Sequence, residues 1–302
     1  MKELSSKNHL KKLIEYFLLR DKKYIDIRLS KHFNEIIRRG SDIGTHISLL
    51  NNCNRLMPLA QKEILELDAK SQDLPSGKIW LASSLSEAKG RGSRTWWAPD
   101  GGIYMCIAIS PILLPEHWGL YNIALGVAIC ETLCFWGFNA KIRWVNDILI
   151  ENKKVAGVLS QSFTTPNTGS NYIIFGIGVN ININNFPSEL SKIATSLKLE
   201  SQRRLPKARI CAHIISRIIW NFGLAHFWES LSLNEEISFN PLIISFKKLS
   251  NTIGKNIVFG YDAEKHPEFE AIAKDIDDFG RLILLLKNGQ SLVVNAGEIR
   301  YL

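Results

Sequence analysis

The feature that most restricts the fold of this chain is a nearly continuous apolar segment, Trp118–Phe135. Its length and composition predict a helix, and a helix that is apolar on most sides must be buried on most sides. Short apolar segments before and after it, bounded by turn-forming residues, predict strands. These strands are expected at 79–83, 103–109, 142–145, 148–151, 155–161 and 172–181. The pattern predicts an α+β fold with a central mixed or antiparallel sheet and flanking helices.

The segment before the sheet, residues 1–55, is basic and carries much of the net charge of +8. Apolar residues at helical spacing predict three short helices there, at 9–20, 29–37 and 43–50. Two interpretations stay open. The segment is either a helical appendage with a solvated basic face, or a degenerate helix-turn-helix that binds DNA through its phosphates.

Two further segments follow along the chain. Residues 56–240 contain the predicted sheet, the long apolar helix and a second long helix at 204–229. Residues 241–302 predict short strands, and the pair Asn288-Gly289 is typical of a hairpin turn. We therefore expect an α+β domain at 56–240 and a small barrel-like β domain at 241–302.

Composition limits the class of protein. The hydrophobic share of 46% and the charged share of 22% are typical of a soluble protein. No run reaches the roughly 18 apolar residues of a membrane span, and the lysine-rich start lacks the apolar core of a signal peptide. The cysteines are odd in number and lack zinc-type spacing, which favours a reducing cytoplasm. They are Cys53, Cys106, Cys130, Cys134 and Cys211.

A basic loop follows the first strand of the predicted sheet. Residues 89–94 combine three cations with two glycines, and Trp96 and Pro99 come shortly after. Glycine lets a backbone fold tightly around a ligand. Arginine can hold phosphate or carboxylate oxygens through two parallel hydrogen bonds. An anion-binding loop and a solvated turn are both consistent with this segment taken alone.

A second group of polar residues lies at the end of a later strand. Arg143, Asn146 and Asp147 stand within five residues, and Lys154 and Gly157 follow in the next strand of a predicted hairpin. A cation, an amide and a carboxylate so close together suit a nucleotide site. Because Asn-Asp is also a common turn, this motif alone leaves both interpretations open.

Two glycines alternate on the last predicted strand of the sheet. Gly176 and Gly178 precede Asn180, and alternate residues of a strand face the same side. They would leave a flat surface without side chains, against which a planar ligand can lie. A bulge, or close packing of a helix on the strand, is the alternative explanation.

The order and spacing of these motifs resemble those of biotin protein ligases. The motifs are the basic glycine loop, Trp-x-x-Pro-x-Gly-Gly, Arg-Trp-x-Asn-Asp, Lys-x-x-Gly-x-Leu and Gly-Ile-Gly-x-Asn-x-Asn. The likeness covers about residues 75–302 and ends at Ala296-Gly297-Glu298-Ile299. It implies a catalytic domain similar to that of class II aminoacyl-tRNA synthetases, followed by an SH3-like β-barrel.

The resemblance implies a two-step reaction. The carboxylate of biotin attacks the α-phosphate of ATP to give biotinyl-AMP, and a lysine of a biotin carboxyl carrier protein, a subunit of acetyl-CoA carboxylase, then attacks the mixed anhydride. ATP, biotin and Mg²⁺ are the implied cofactors, and no residue is assigned to a metal. Two alternatives are a biotin- or adenylate-binding regulator with little turnover, and transfer of lipoate or another fatty acid. The glycine pair and the β domain favour biotin over lipoate.

The resemblance also assigns residues. Arg143 and Arg91 are the implied catalytic residues, and Lys274 resembles a basic position that reaches toward the nucleotide. The residues implied to bind biotin or its adenylate are Lys89, Gly90, Arg91, Gly92, Arg94, Trp96, Asn146, Asp147, Lys154, Gly157, Gly176, Gly178, Asn180 and Lys274. We expect a cytoplasmic protein that spans no membrane, with the choice between monomer and homodimer left open.

The chain departs from the family pattern at several positions. Arg143 stands where the family has lysine, and Val145 where it has proline. A Ser-Thr-Asn motif usual near residues 58–62 is missing. The Gln-Thr pair before the glycine loop is replaced by residues 85–86 or 87–88, depending on how the loop is aligned. Arg91 falls on an arginine of the loop in both alignments.

Overall fold

The structure is a computed structural model that describes residues 6–234 and 239–302. Its helices are α1 Lys7–Asp21, α2 Ile27–Ser30, α3 Phe33–Gly40, α4 Leu56–Asp68, α5 Gly119–Phe135, α6 Leu197–Ser201, α7 Lys207–Ser232 and α8 Pro241–Leu249. Its strands are β1 Ile47–Cys53, β2 Lys78–Leu85, β3 Ile103–Ile109, β4 Lys141–Arg143, β5 Asp147–Ile150, β6 Lys153–Thr164, β7 Asn171–Val179, β8 Asn256–Gly260, β9 Phe269–Ile276, β10 Leu282–Leu286, β11 Ser291–Val294 and β12 Glu298–Tyr301.

Seven strands form the main sheet in the order β1-β2-β3-β7-β6-β5-β4. The edge strand β1 pairs with β2 in parallel, and every other neighbouring pair is antiparallel. The predicted mixed sheet with flanking helices is therefore confirmed. Tight turns allow the antiparallel neighbours β5 and β6 to follow each other directly, with Glu151 and Asn152 at positive φ between them.

The predicted apolar helix is confirmed as α5, and it is the centre of the core. Its side chains from Leu120 to Leu133 pack between the sheet, α7 and α8. With the turn before it, the segment Pro115–Phe135 is long and apolar enough to cross a membrane, which was not expected from the sequence. Because 67% of an 18-residue apolar window within it is buried inside the protein, its composition is accounted for by its place in the core.

The opposite face of the main sheet is covered by α4. A second, smaller core lies there and includes Trp80, Tyr104, Tyr172 and Ile174. These side chains alternate along β2, β3 and β7 with those that face α5. The sheet thus has two covered faces, and on the α4 face the apolar cover stops short of the glycines of β7.

The N-terminal helices pack on α7, one of the helices that cover the main sheet. Leu10, Ile14 and Phe17 of α1 belong to the main core, and α3 crosses α7 at two glycines. A β-carbon on Gly40 would lie 1.9 Å from the carbonyl oxygen of Ile219, so the two backbones touch. The first predicted helix is confirmed as α1, whereas the second, expected at 29–37, is divided between α2 and α3.

The third predicted helix, at 43–50, is wrong, because residues Ile47–Cys53 form strand β1. Strand β1 is a half-exposed edge strand whose burial does not alternate, and its short apolar pattern is also compatible with a helix. Parallel pairing with β2 decides between them, and that pairing depends on residues some thirty positions away. The N-terminal segment therefore contributes a strand to the sheet that carries the site.

The C-terminal strands form a five-stranded antiparallel sheet in the order β11-β10-β9-β8-β12, as expected for a small SH3-like domain. It is fixed to the main sheet next to β4, where the Trp144 amide donates to the Thr252 hydroxyl at 2.9 Å. The Trp144 indole N–H also donates to the Gly280 carbonyl oxygen at 3.1 Å. Helix α8, which the sequence analysis did not predict, packs on α5 ahead of this domain.

Candidate active site

A cavity of about 650 Å³ opens where the α4 face of the main sheet meets the glycine loop and the C-terminal sheet. It is lined by thirteen of the fifteen residues that the sequence assigned to the site. They are Lys89, Gly90, Arg91, Arg94, Trp96, Arg143, Asn146, Asp147, Lys154, Gly157, Gly176, Gly178 and Asn180. Segments far apart in the sequence are therefore brought to one place by the fold.

The floor of the cavity is made by three neighbouring strands. Gly178 of β7 lies between Tyr104 of β3 and Gly157 of β6, and the three residues form one row across the sheet. In the next row, Gly176 lies beside Leu159. Tyr172 and Ile174 fill the same face of β7 further along, so the absence of side chains at the two glycines is what opens the cavity. The two glycines leave this part of β7 without side chains of its own, as predicted, but Met57 of α4 and Trp96 already pack against it, so the alternative of close packing also applies.

The indole of Trp96 stands on this floor. A β-carbon on Gly178 would lie 2.7 Å from the ring, whereas one on Gly176 would meet the sulfur of Met57 at 2.8 Å. The Lys154 ammonium lies 5.4 Å from the centre of the Trp96 ring. The Trp96 indole nitrogen and the side-chain oxygen of Asn180 are buried, and neither has a hydrogen-bond partner. Buried polar atoms without partners are costly, so these two are suited to hydrogen bonds with a ligand.

Asp147 connects two cations at the end of the floor. Its carboxylate lies 2.6 Å from the Arg143 guanidinium and 2.5 Å from the Lys154 ammonium. Burial raises the pKa of Asp147, but the charges of Lys154 and Arg143 outweigh it and hold the pKa below its ordinary value. Asn146 donates from its side chain to the Val158 carbonyl oxygen, which fixes the turn before β5. The motif is therefore a charged cluster with one surplus positive charge.

The glycine loop closes against the C-terminal domain. The Arg91 guanidinium donates to the Gly297 carbonyl oxygen at 2.5 Å, and Arg94 pairs with the carboxylate of Glu298. Arg91 lies 3.8 Å from the same carboxylate. Burial, and then the nearby charge of Arg94, lower the pKa of Arg91. Both arginines therefore lie at the mouth of the cavity and are held there by β12.

Two predicted residues do not line the cavity. Gly92 is at the tip of the loop, with φ +61° and nothing near it, so its role is to let the chain turn. Lys274 is on the exposed face of β9, because Ala271 and Ala273 take the alternate positions that face the core. The C-terminal domain does supply cations to the cavity, but they are Lys265 and Arg300.

The lining also includes cations and other residues that were not predicted from sequence, among them Arg55 and Met57 at the start of α4, and Lys265 and Arg300. With them, the lining contains eight cations, Arg55, Lys89, Arg91, Arg94, Arg143, Lys154, Lys265 and Arg300. It contains three carboxylates, those of Asp147, Glu264 and Glu298. The surplus of five positive charges favours a ligand with several negative charges.

The described residues contain no group of three or more histidines, cysteines and acidic residues that could hold a metal ion. The carboxylates of Asp147 and Glu298 are each engaged by two cations.

Comparison with known proteins supports one family. Residues 56–180 match the Biotin/lipoate A/B protein ligase family, and residues 252–300 match the biotin protein ligase C terminal domain. Over 230 residues the chain is 31% identical to the bifunctional ligase/repressor BirA of Bacillus subtilis, covering 75% of this chain and 67% of that protein. It is 26% identical over 151 residues to a human biotin–protein ligase, covering 47% of this chain and 20% of that protein.

A solved structure has the same fold. The biotin protein ligase of Aquifex aeolicus, in complex with biotin and ATP, superimposes with a TM-score of 0.65 at 18% sequence identity. The match covers 85% of this chain and 100% of that chain. Both matched domains, their order and the floor of the cavity agree with the motifs in the sequence. The chain belongs to the biotin protein ligase family and is a ligase.

Proposed function

We propose that this ligase attaches biotin to a lysine of a biotin carboxyl carrier protein, in two steps and through biotinyl-AMP. The observation that supports this most is that a floor without side chains and a surplus of cations lie in one cavity. A planar, weakly polar ring system fits the floor, and a carboxylate with phosphates fits the cations. The Aquifex aeolicus relative was solved with biotin and ATP, and a Leishmania major relative with biotinyl-5-AMP.

In the first step, a carboxylate oxygen of biotin bonds to the α-phosphorus of ATP, and the bond from that phosphorus to the bridging oxygen breaks. Pyrophosphate leaves with the electron pair. Arg143 and Lys154 would hold the reacting carboxylate, since both lie where the glycine floor ends. Asp147 would keep these two side chains in place by pairing with each of them. Positioning and fixed positive charge are the main contributions that a protein can make to such a transfer.

In the second step, the lysine amine of the carrier protein attacks the carbonyl carbon of biotinyl-AMP and loses a proton, and AMP leaves. Arg91 and Arg94 would hold the phosphate of the adenylate until the carrier arrives. They are at the mouth of the cavity, where the loop can close over a bound molecule. To bind phosphate they exchange part of their contact with Glu298 and Gly297.

Magnesium would enter with ATP and reduce the negative charge on the phosphates. Indole and amide groups would then hold the organic parts of the ligand. The unpartnered Trp96 nitrogen can donate a hydrogen bond, and the unpartnered Asn180 oxygen can accept one. Trp96 must move off Gly178 for a ring system to lie on the floor.

The direct test is incubation of the protein with ATP, magnesium, labelled biotin and a carrier domain. We expect labelled biotinyl-AMP when the carrier is omitted, and labelled carrier when it is present. Failure to form either product, with biotin still bound, would contradict the proposal and would favour the regulator instead. A carrier whose lysine is replaced by arginine provides the matched control for the second step.

Lipoate transfer is distinguished from biotin transfer by the same experiment with labelled lipoate in place of biotin.

DNA binding by residues 1–55 stays a prediction, and two Bacillus relatives have the word repressor in their names. The structure shows that the buried faces of α1 and α3 are used for contact with α7. A DNA ligand would therefore have to bind their exposed faces.

A further inference from the structure

The loop that joins β8 to β9, residues 261–268, brings a carboxylate to the mouth of the cavity. Ala263, Glu264 and Lys265 of this loop line the cavity. Ala263 is buried with 3% exposure, whereas Glu264 is exposed. Glu264 therefore lies at the rim, where the cavity opens to solvent.

Backbone contacts hold this loop in its shape. The His266 amide donates to the Asp262 carbonyl oxygen at 2.8 Å, and the Lys265 amide donates to the Asp262 carboxylate at 3.2 Å. A β-carbon on Gly260, where β8 ends, would lie 2.7 Å from the His266 carbonyl oxygen, so the two ends of the turn are in close contact. The position of Glu264 on the rim is therefore determined by the backbone.

The same loop lies beside the glycine loop. The pKa of Asp262 is lowered, first by the Lys265 amide and also by the nearby charge of Arg94. Under the proposed function, Arg94 and its neighbour Arg91 hold the phosphate of the adenylate. Glu264, two residues from Asp262, therefore lies on the side of the mouth where the bond to that phosphate breaks in the second step.

The three carboxylates that line the cavity differ in how they are paired. Those of Asp147 and Glu298 are each engaged by two cations. Glu264 forms no ion pair with any residue in the described ranges 6–234 and 239–302. Of these three carboxylates, that of Glu264 is the one available to an incoming cation.

The second step brings such a cation to the mouth. A lysine amine has an ordinary pKa of about 10.4, so it arrives at neutral pH as an ammonium. The cavity that it must enter has a surplus of five positive charges, which repel it. A carboxylate at the rim offsets this repulsion and steers the ammonium to the opening. Further in, the same cations lower the pKa of the amine and favour the loss of its proton.

We propose that Glu264 binds the ammonium of the carrier's target lysine at the mouth of the cavity and orients it towards the adenylate. This inference rests on the proposed function, because it concerns the second of the two steps. After leaving Glu264, the lysine releases its proton to water, and its nitrogen bonds to the carbonyl carbon of biotinyl-AMP. The bond from that carbon to the phosphate oxygen breaks, and AMP leaves with the electron pair.

The inference makes two nucleophiles respond differently to the loss of Glu264. Hydroxylamine is small and uncharged at neutral pH, and it attacks biotinyl-AMP to give the hydroxamate of biotin and AMP. It therefore has no need of a carboxylate at the rim, whereas the cationic lysine of the carrier does. A substitution that only disturbed folding or the docking of the C-terminal domain would slow the reaction with both nucleophiles.

The experiment compares Glu264→Gln, Glu264→Lys, Glu264→Asp and Glu270→Gln in the full chain. Glu270 is an exposed glutamate of the same domain that does not line the cavity, and it is the matched control. Transfer from synthetic biotinyl-AMP is measured at varied carrier domain and, separately, at varied hydroxylamine. For Glu264→Gln we expect kcat/KM for the carrier to fall about fivefold at low salt, with the hydroxylamine rate within twofold of wild type.

The other variants test the role of the charge. Glu264→Lys should lose more than Glu264→Gln, and Glu264→Asp should lose less, because aspartate keeps the charge on a shorter side chain. The loss in Glu264→Gln should become smaller as the salt concentration rises, since ions screen exposed charges. The Glu270→Gln control should match wild type with both nucleophiles.

Two outcomes would overturn the inference alone: an unchanged kcat/KM for the carrier in both Glu264→Gln and Glu264→Lys, or equal losses with the carrier and with hydroxylamine. Either would be seen against a wild-type protein that makes biotinyl-AMP and transfers biotin to the carrier. A wild-type protein that does neither would instead overturn the proposed function, and this inference with it.

Discussion

Replacement of Gly178 by alanine tests the floor of the cavity most directly. The added β-carbon would lie 2.7 Å from the Trp96 ring. Carbon atoms in contact are normally about 3.5–4.0 Å apart, so the ring, or a ligand lying in its place, must move by about 1 Å. A displacement of that size in a reacting complex can cost about 100-fold in rate, or about 2.7 kcal/mol of transition-state stabilisation.

The free energy of unfolding, unlike the reaction rate, should change little in the Gly178→Ala protein. Gly178 does not have a positive φ, so alanine can adopt its backbone conformation. Glycine-to-alanine changes at compatible positions stabilise by about 0.4–1 kcal/mol, because they restrict the unfolded chain. The clash with a side chain at the edge of an open cavity offsets part of this gain. We therefore expect unfolding free energy within about 1 kcal/mol of wild type.

The assay is the initial rate of biotinyl-AMP formation at varied biotin, with urea unfolding on the same preparations. Gly176→Ala is the matched comparison, because its β-carbon meets the sulfur of Met57 at 2.8 Å and that flexible side chain can move aside. We expect kcat/KM for biotin to fall about 100-fold in Gly178→Ala and clearly less in Gly176→Ala. A Gly178→Ala protein with kcat/KM within twofold of wild type would refute the hypothesis that biotin lies on the glycine floor.

Three further predictions follow from the same structure. Arg91→Ala should speed the release of labelled biotinyl-AMP about 10- to 150-fold, since it removes a charge-assisted phosphate contact of about 1.5–3 kcal/mol; unchanged release kinetics would exclude the clamp role. Gly40→Ala should destabilise by about 3 kcal/mol, because its β-carbon would lie 1.9 Å from the Ile219 carbonyl oxygen; calorimetry should show a midpoint lower by several degrees. The lowered pKa of Asp147 contributes stability above about pH 4 that is lost as the pH falls through the folded-state pKa; Asp147→Asn should flatten this acid loss in denaturation curves measured from pH 6 to pH 2.

Much of the sheet can be predicted from local patterns. Strand β3 was predicted with the bounds that the structure has, and α5 within one residue at its start. These elements have strong composition and clear ends, so local sequence determines them. Strand β1 was predicted as a helix because its pattern is weak and its parallel partner is distant. Helix α8 was missed because the surrounding segment has the composition of short strands.

The residues of the site also fall into two groups, those that can be recognised in the sequence and those that cannot. The motifs around Arg91, Asp147 and Gly178 carry glycines and charges at short spacings, and these can be recognised in the sequence. Lys265 lies in a segment without such a pattern, and Arg300 lies just after the last motif of the family likeness; the docking of the C-terminal sheet brings both to the cavity. Lys274 was predicted because it resembles a basic position that reaches toward the nucleotide in related proteins. Strand alternation places it on the exposed face instead.

The docking of the two domains also determines how the cavity is charged before a ligand arrives. Thr252 and Gly280 hold the C-terminal sheet to Trp144, one residue from Arg143. The same sheet brings Glu298 to Arg91 and Arg94. Without that carboxylate the two arginines would repel each other across a short loop, and burial already lowers the pKa of Arg91. The C-terminal domain therefore stabilises a cluster of cations in the protein without ligand, and under the proposed function a phosphate that displaces Glu298 would find them already in position. Because preorganised charge stabilises a transition state without further rearrangement, this pairing is consistent with a site for acyl-phosphate chemistry.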